Sequence, residues 1–204
     1  YGLADVLGCK YEGQSIPTIN DYYFTIKNAA SPVLQGVRNT ELLMSGGYTA
    51  LCTAENDSER VAGFLPEILN QPPEYAWIPV MDSPNAGIVA RQYGKGRVVY
   101  FANTTDALCY SNGHEDFTEV YANAVHYTSG KDYTLTSDAY RSVHTNLIET
   151  KAEEKSVYIL SFINTTGTQQ RPVKELIPVG PFTATLPLKG RKLTEIKMLW
   201  GEAT

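Results

Sequence analysis

Strong charge of one sign, long apolar runs and paired cysteines are what this chain of 204 residues lacks. Lys and Arg number 17 against 22 Asp and Glu, a formal net charge of −5, and the two signs are interspersed. Without a Lys/Arg cluster there is no surface to track phosphates, so no nucleic-acid partner is expected. No apolar run approaches the ~20 residues that span a bilayer, so no membrane partner is expected. Cysteine occurs only at Cys9, Cys52 and Cys109. The odd number, the wide spacing and the lack of CxxC argue against a disulfide framework and a zinc site. The three read as buried free thiols in a reduced, cytoplasmic setting. The opening YGLADVLGC has neither a basic n-region nor an adequate apolar h-region, so no signal peptide is read there. With Tyr1 in place of an initiator Met, the chain reads as a piece of a longer one.

Catalytic motifs are missing as well. Gly94-Lys95-Gly96 invites comparison with a phosphate-binding loop. That loop needs a longer glycine-rich turn ending in Lys-Ser/Thr and opening a helix. Here the apolar run Arg97-Val98-Val99-Tyr100-Phe101 follows, so no helix N-terminus is available for an anion. GxSxG is absent, and Ser45-Gly46-Gly47 lies in an apparent β-segment instead of a strand-to-helix elbow. His114-Glu115-Asp116 lacks the HExxH spacing of a helical zinc site. His126 and His144 have no clustered partner. No metal and no cofactor is expected, and no catalytic residue is assigned.

What is present points to strands. Hydrophobic residues make up 43% of the chain, enough to build a core, and the 14 tyrosines favour half-buried β-surfaces. Leu3, Val6 and Leu7 recur at helical spacing, with Gly8 as the terminating residue. Residues 21–27 (DYYFTIK) read as a strand, and Ser31-Pro32 opens a short turn or helix. Residues 41–55 are apolar around Gly46-Gly47 and read as two strands joined at a tight turn, or as one bulged strand. Residues 61–65 read as a further strand. Residues 86–92 and 97–102 flank Tyr93-Gly94-Lys95-Gly96 as a hairpin. The unbroken run at 98–101 predicts a strand buried on both faces. A helix follows, with Asp116 as N-cap, Phe117, Val120, Tyr121, Ala124 and Val125 on one face, and Gly130 at its end.

From residue 133 onward the pattern is of strands only. Residues 142–149 alternate, 151–155 (KAEEK) make a charged turn, and 156–163 (SVYILSFI) read as a central strand. Further strands are expected at 172–179, 182–188 and 193–199, with Pro187 at an edge or bulge. The fold class is therefore α+β. Residues 1–130 form an α/β domain and residues 131–204 a small β-sandwich.

Six residues stand out as candidates for a ligand site or an interface. The stretch 103–116 (NTTDALCYSNGHED) reads as a loop leaving the end of a parallel strand, where α/β sheets carry ligands. Asp106, Tyr110, His114, Glu115 and Asp116 come from it. Trp77, after Pro72-Pro73, has the shape to stack on a sugar or fill an interface pocket. Asn103-Thr104-Thr105 and Asn164-Thr165-Thr166 match the glycosylation pattern, which also arises by chance.

A set of motifs in fixed order carries a resemblance. They are Leu3-Ala4-Asp5-Val6-Leu7-Gly8, Gln71-Pro72-Pro73-Glu74-Tyr75-Ala76-Trp77, Tyr93 through Phe101, Gly113-His114-Glu115-Asp116 and Asn123-Ala124-Val125. The order closes with Arg171-Pro172 and Pro178-Val179-Gly180-Pro181-Phe182. Over nearly its whole length the chain resembles the region after the catalytic barrel in bacterial glycoside hydrolases related to family 42 β-galactosidases and α-fucosidase-like proteins. The resemblance implies the second half of a trimerisation-type domain with a class I glutamine-amidotransferase-like (flavodoxin-like) fold, then a β-sandwich. It places the catalytic carboxylates in a barrel this chain lacks. The implied role is non-catalytic, in oligomerisation and in shaping the cleft that holds the parent enzyme's carbohydrate substrate. A half-domain leaves a sheet edge and an apolar helix face uncovered, so a homo-oligomer is expected. Two alternatives are a carbohydrate-binding module and an independent amidotransferase-like enzyme using Cys109.

Overall fold

The computed structural model describes residues 2–16, 22–37, 39–65, 72, 74–75, 77, 82–130, 134–152, 155–167 and 175–199. The fold is mixed α+β with strands predominating, and the chain divides into two compact units, Tyr1–Lys131 and Asp132–Thr204. No helix among the described residues is long and apolar enough to cross a membrane.

Unit 1 opens with helix α1 (Ala4–Leu7), which Gly8 ends in the left-handed conformation. Strands β1 (Cys9–Ile16) and β2 (Tyr22–Ile26) follow, then a 3-10 turn at Pro32–Leu34. Next come β3 (Leu42–Ser45), β4 (Thr49–Ala54), β5 (Glu59–Leu65), β6 (Ala86–Tyr93) and β7 (Gly96–Phe101). Helices α2 (Thr105–Asn112) and α3 (Glu115–Ser129) close the unit. Five strands pair antiparallel in the order β3-β2-β5-β6-β7, while β1 and β4 form a separate antiparallel ribbon.

Two apolar clusters hold this unit. The larger joins Phe24, Leu43, Phe64, Ile88 and Ala90 of the sheet to Val33 and Leu34 of the 3-10 turn and Phe117, Val120 and Ala124 of α3. The smaller joins Cys9 and Cys52 of the ribbon to Val89 of β6. Along β6, Ile88 and Ala90 serve the first cluster and Val89 the second, as side-chain alternation in a strand requires. Each fully buried Val or Phe contributes about 1.5–3 kcal/mol by leaving water. Asn123 fixes α3 to the 3-10 turn, its Nδ2 donating to the carbonyls of Val33 (3.3 Å) and Gln35 (2.7 Å).

The β6–β7 hairpin forms as its sequence predicts, with Tyr93 opposite Gly96 and Gly94-Lys95 as the two-residue turn. Gly94 has φ of +57°, the sign that the first position of a II′ turn demands and that glycine adopts freely. Several other expectations are corrected. Strands β3 and β4 flank Gly46-Gly47 but do not pair with each other, because the turn passes the chain from the five-stranded sheet to the ribbon. Among the described residues strand β7 is an antiparallel edge strand, and its Val98–Phe101 run is only half-buried. The strand buried throughout its first five residues is β6, which lies between β5 and β7. His114, not Asp116, occupies the N-cap position of α3, and Val125 is 64% exposed at the margin of the apolar stripe.

Unit 2 contains β8 (Thr136–Ser137), β9 (Val143–Ala152), β10 (Lys155–Asn164) and β11 (Ala184–Thr185). Its main element is the β9–β10 ribbon, in register from Val143 opposite Asn164 to Ala152 opposite Lys155. The expected turn at 151–155 sits between these strands, and Glu153 and Glu154 lie outside the described residues. Strand β10 pairs only with β9 among the described residues, so it is not a central strand there. Of the strands expected beyond it, 172–174 fall outside the described residues and 175–179 are irregular. The stretch 182–188 supplies only Ala184–Thr185, and 193–199 supplies none. Pro178, Pro181 and Pro187 each remove a ladder donor, which explains the short pairing.

The C-terminal segment instead packs on one face of the ribbon through side chains. Phe182 meets Phe162 edge-on at 5.0 Å. Asn164 Nδ2 donates to the Ile177 carbonyl at 2.7 Å. Arg191 Nη1 reaches Glu149 Oε1 at 2.6 Å and also the Tyr158 hydroxyl. A lone two-stranded ribbon is marginal in water, so this cover stabilises it.

The Arg191 contact makes the tail sensitive to acid. The hydrogen bond from Arg191 holds the Glu149 carboxyl below its ordinary value of 4.5, and it holds the guanidinium's own pKa up. A depressed carboxylate contributes stability above its unfolded pKa and loses it as pH falls through the lower folded value. Amide exchange at 188–192 is therefore expected to quicken below about pH 4.5, while a Glu149→Gln variant shows no such step. An unchanged acid step in that variant would place the titration elsewhere.

Candidate functional site

The end of β7 carries the polar tripeptide Asn103-Thr104-Thr105 into α2, and there it meets the glycine turn between β3 and β4. Ser45, Thr49 and Thr105 are completely buried and Asn103 is nearly so. Asn103 Nδ2 donates to Ser45 Oγ, and Thr49 and Asn103 form an antiparallel bridge. The Tyr48 amide donates to Thr104 Oγ1 at 2.9 Å, and the Thr104 amide donates back to the Tyr48 carbonyl at 3.1 Å. Gly47, at φ +83°, makes this approach possible, since a Cβ there would lie 2.1 Å from Thr104 Oγ1. Thr49 Oγ1 and Asn103 Oδ1 are buried with no hydrogen-bond partner among the described residues.

Tyr121 of α3 completes the arrangement. Thr104 precedes α2 without capping it through its side chain. The Tyr121 hydroxyl takes that place, lying 2.5 Å from Thr105 Oγ1 and accepting the Asp106 amide. Burial pushes the phenol's pKa up, helped by the Asp106 carboxylate and Cys109, against the two hydrogen bonds that lower it. The phenol therefore stays protonated at neutral pH and satisfies an amide that the helix leaves free.

The stretch 103–116 is thus a helix and a corner, not a loop. α2 escaped notice because its eight residues include Ser, Asn, Thr and Asp, which favour turns and caps as readily as helix interiors. Asp106 lies in the first turn of α2 and Tyr110 projects into solvent at 94% exposure. His114 links α2 to α3. Its carbonyl accepts from the Thr118 amide (3.3 Å), Thr118 Oγ1 (3.4 Å) and Cys109 Sγ (3.8 Å), and its ring stands edge-on to Phe117 at 6.2 Å. Glu115 and Asp116 occupy the first turn of α3, where negative charge suits the helix dipole. Trp77 belongs to a different segment and is 60% exposed, as is Tyr75.

Five of the six candidates therefore lie along α2 and the first turn of α3, Asp106 at the start of α2 and Tyr110, His114, Glu115 and Asp116 near the α2–α3 corner, while Trp77 belongs to another segment. Cys109 lies within α2, half-buried, with Sγ 3.4 Å from Thr118 Oγ1, so it does not stand at a strand-to-helix turn. No group of three or more His, Cys, Asp or Glu among the described residues is placed to hold a metal ion. The amides of both glycosylation-like asparagines are engaged internally, Asn103 with Ser45 and Asn164 with Ile177. Sequence reasoning missed Ser45, Thr49, Thr105 and the hydroxyl of Tyr121. The available signal was two polar tripeptides, Ser-Gly-Gly and Asn-Thr-Thr, each ending an apolar strand.

Comparison with family models, with curated proteins and with solved structures gives no match for this chain.

Proposed function

We propose that this chain is a non-catalytic C-terminal region of a multidomain glycoside hydrolase, acting in oligomerisation and in shaping the substrate cleft. The observation that carries the association role is the α2–α3 corner. Asn103 holds Ser45 and Tyr121 holds Thr105 by internal hydrogen bonds at the start of α2, and Tyr110 of that helix, which has Asp106 in its first turn and is followed by Glu115 and Asp116, projects into solvent. Exposed tyrosine presents large contact area at low entropy cost, which suits an interface. The glycoside-hydrolase context rests on the ordered motifs alone. On this reading unit 1 corresponds to part of an amidotransferase-like domain, although its five-stranded sheet is antiparallel. Unit 2 corresponds to the following β-sandwich.

Light scattering across a concentration series tests the association role. A self-associating species is expected, and Tyr110→Asp, which changes no buried contact, is expected to shift it toward monomer. A chain that stays monomeric at high concentration overturns the reading.

A second reading, carbohydrate binding, draws on Tyr75 and Trp77, two aromatics two positions apart and both largely exposed. Calorimetry against galactosides, fucosides and plant polysaccharides separates the two. Heat that disappears in Trp77→Ala supports binding, and no heat at millimolar ligand removes it.

A further inference from the structure

We propose that Cys9 and Cys52 are a modification site, a dithiol that closes reversibly into a disulfide by exchange with a low-molecular-weight disulfide. The two lie far apart in sequence, but the fold brings them together. In the β1–β4 ribbon Cys9 stands opposite Ala54 and Tyr11 opposite Cys52. Counting by two along each strand puts both cysteines on one face, as diagonal neighbours. Both side chains are buried in the same small cluster, with Val89 and Ala102 as apolar walls.

Diagonal neighbours usually lie at the outer limit of disulfide reach. Here both side chains turn into the same small buried cluster, so the two thiols are neighbours there. Cys52 Sγ is also 3.7 Å from the Ala86 carbonyl, which fixes its rotamer toward the cluster. Cys109, by contrast, sits on α2 with Thr118 and belongs to the other cluster. The three thiols therefore divide into a pair and a single.

The Cys9 thiol and burial push the Cys52 thiol's pKa up. The exchange begins at Cys9, on the strand that separates. The Cys9 thiolate attacks one sulfur of oxidised glutathione, forming a mixed disulfide and releasing one glutathione thiolate. Cys52 then gives its proton to solvent and attacks the Cys9 sulfur, which releases the second glutathione. Two protein thiols are oxidised and one external disulfide is reduced to two thiols. Access comes from β1, which pairs only with β4 among the described residues and whose register shifts between Tyr11 and Ser15. Local separation of such a strand needs far less than global unfolding.

The test is peptide mapping of the full chain after incubation with oxidised glutathione, with free thiols alkylated under denaturing conditions. One cross-linked peptide pair is expected, containing Cys9 and Cys52, lighter by two hydrogens than the separate peptides and restored by reductant. Cys109 is expected in alkylated or singly glutathionylated form. The melting temperature of the oxidised chain should rise, because the link restricts the unfolded state. A Cys109→Ser variant retains the cross-link, so the experiment does not depend on a core cysteine variant that folds poorly. Recovery of Cys9 and Cys52 as alkylated thiols, as separate glutathione adducts, or linked to Cys109 overturns the proposal.

Discussion

Phe117→Ala is expected to destabilise unit 1 by about 3–5 kcal/mol, the cost of emptying an aromatic site that cannot collapse fully. Phe117 is 1% exposed and joins the two layers of the core. Its ring meets Phe24 of the sheet at 6.0 Å, Tyr121 one turn along the helix at 6.1 Å and His114 at 6.2 Å. Removing it opens a cavity between α3 and the sheet, and it frees the two residues that organise the α2–α3 corner. The consequence is more than a lower urea midpoint. The Asp106 amide, whose acceptor is the Tyr121 hydroxyl, should also exchange faster in the variant. Phe117→Leu should fall between wild type and Phe117→Ala. A loss below about 1 kcal/mol for the alanine variant would mean that the site collapses, or that the ring adds little to the core.

That dependence shows which parts of the site were readable in advance. The apolar stripe of α3 was readable because Phe117, Val120 and Ala124 repeat at helical spacing, and all three are buried. Val125 was misread because it lies about 100° around the helix from Ala124, where the stripe ends. The β6–β7 turn was readable from Gly94-Lys95 between β-formers. Strand order was not. A run such as Val98-Val99-Tyr100-Phe101 records how apolar a strand is, and not whether a neighbour stands on both sides. The run belongs to an edge among the described residues, and Val99 and Phe101 owe their partial burial to the cluster shared with α3 while Tyr100 packs on the ribbon's cluster. The polar site was the least readable part. Ser45, Thr49, Asn103 and Thr105 acquire meaning only when the β3–β4 turn meets the start of α2, and nothing local records that meeting. Tyr121 was assigned to the core by its spacing. Its hydroxyl acts through tertiary contact with a helix of which the sequence carried no clear sign.

Gly87→Ala tests the packing of β6 against Phe24, and here the sign of the effect decides. In a strand interior, alanine is ordinarily favoured over glycine by roughly 0.5–1 kcal/mol, because glycine loses more conformational freedom on folding. Gly87 lies in β6 and its φ is not positive, so its backbone gives no reason to require glycine. The steric reason is specific. A Cβ there would lie 2.4, 2.5 and 3.0 Å from three carbons of the Phe24 ring, and Phe24 is fully buried. The ring has no solvent to move into, with Phe117 against it. Overpacking of this kind costs about 1–3 kcal/mol, so a net loss is expected despite the better intrinsic propensity of alanine. The coupled variant isolates the cause. Phe24→Leu alone is expected to destabilise, but adding Gly87→Ala to it should cost much less than adding Gly87→Ala to wild type. The difference is the interaction term of the double-mutant cycle, expected to be about 0.5–3 kcal/mol for residues in contact. If Gly87→Ala raises stability in wild type, the Phe24 ring has room to shift, and the close packing of β6 beneath it is not what holds the centre of the sheet.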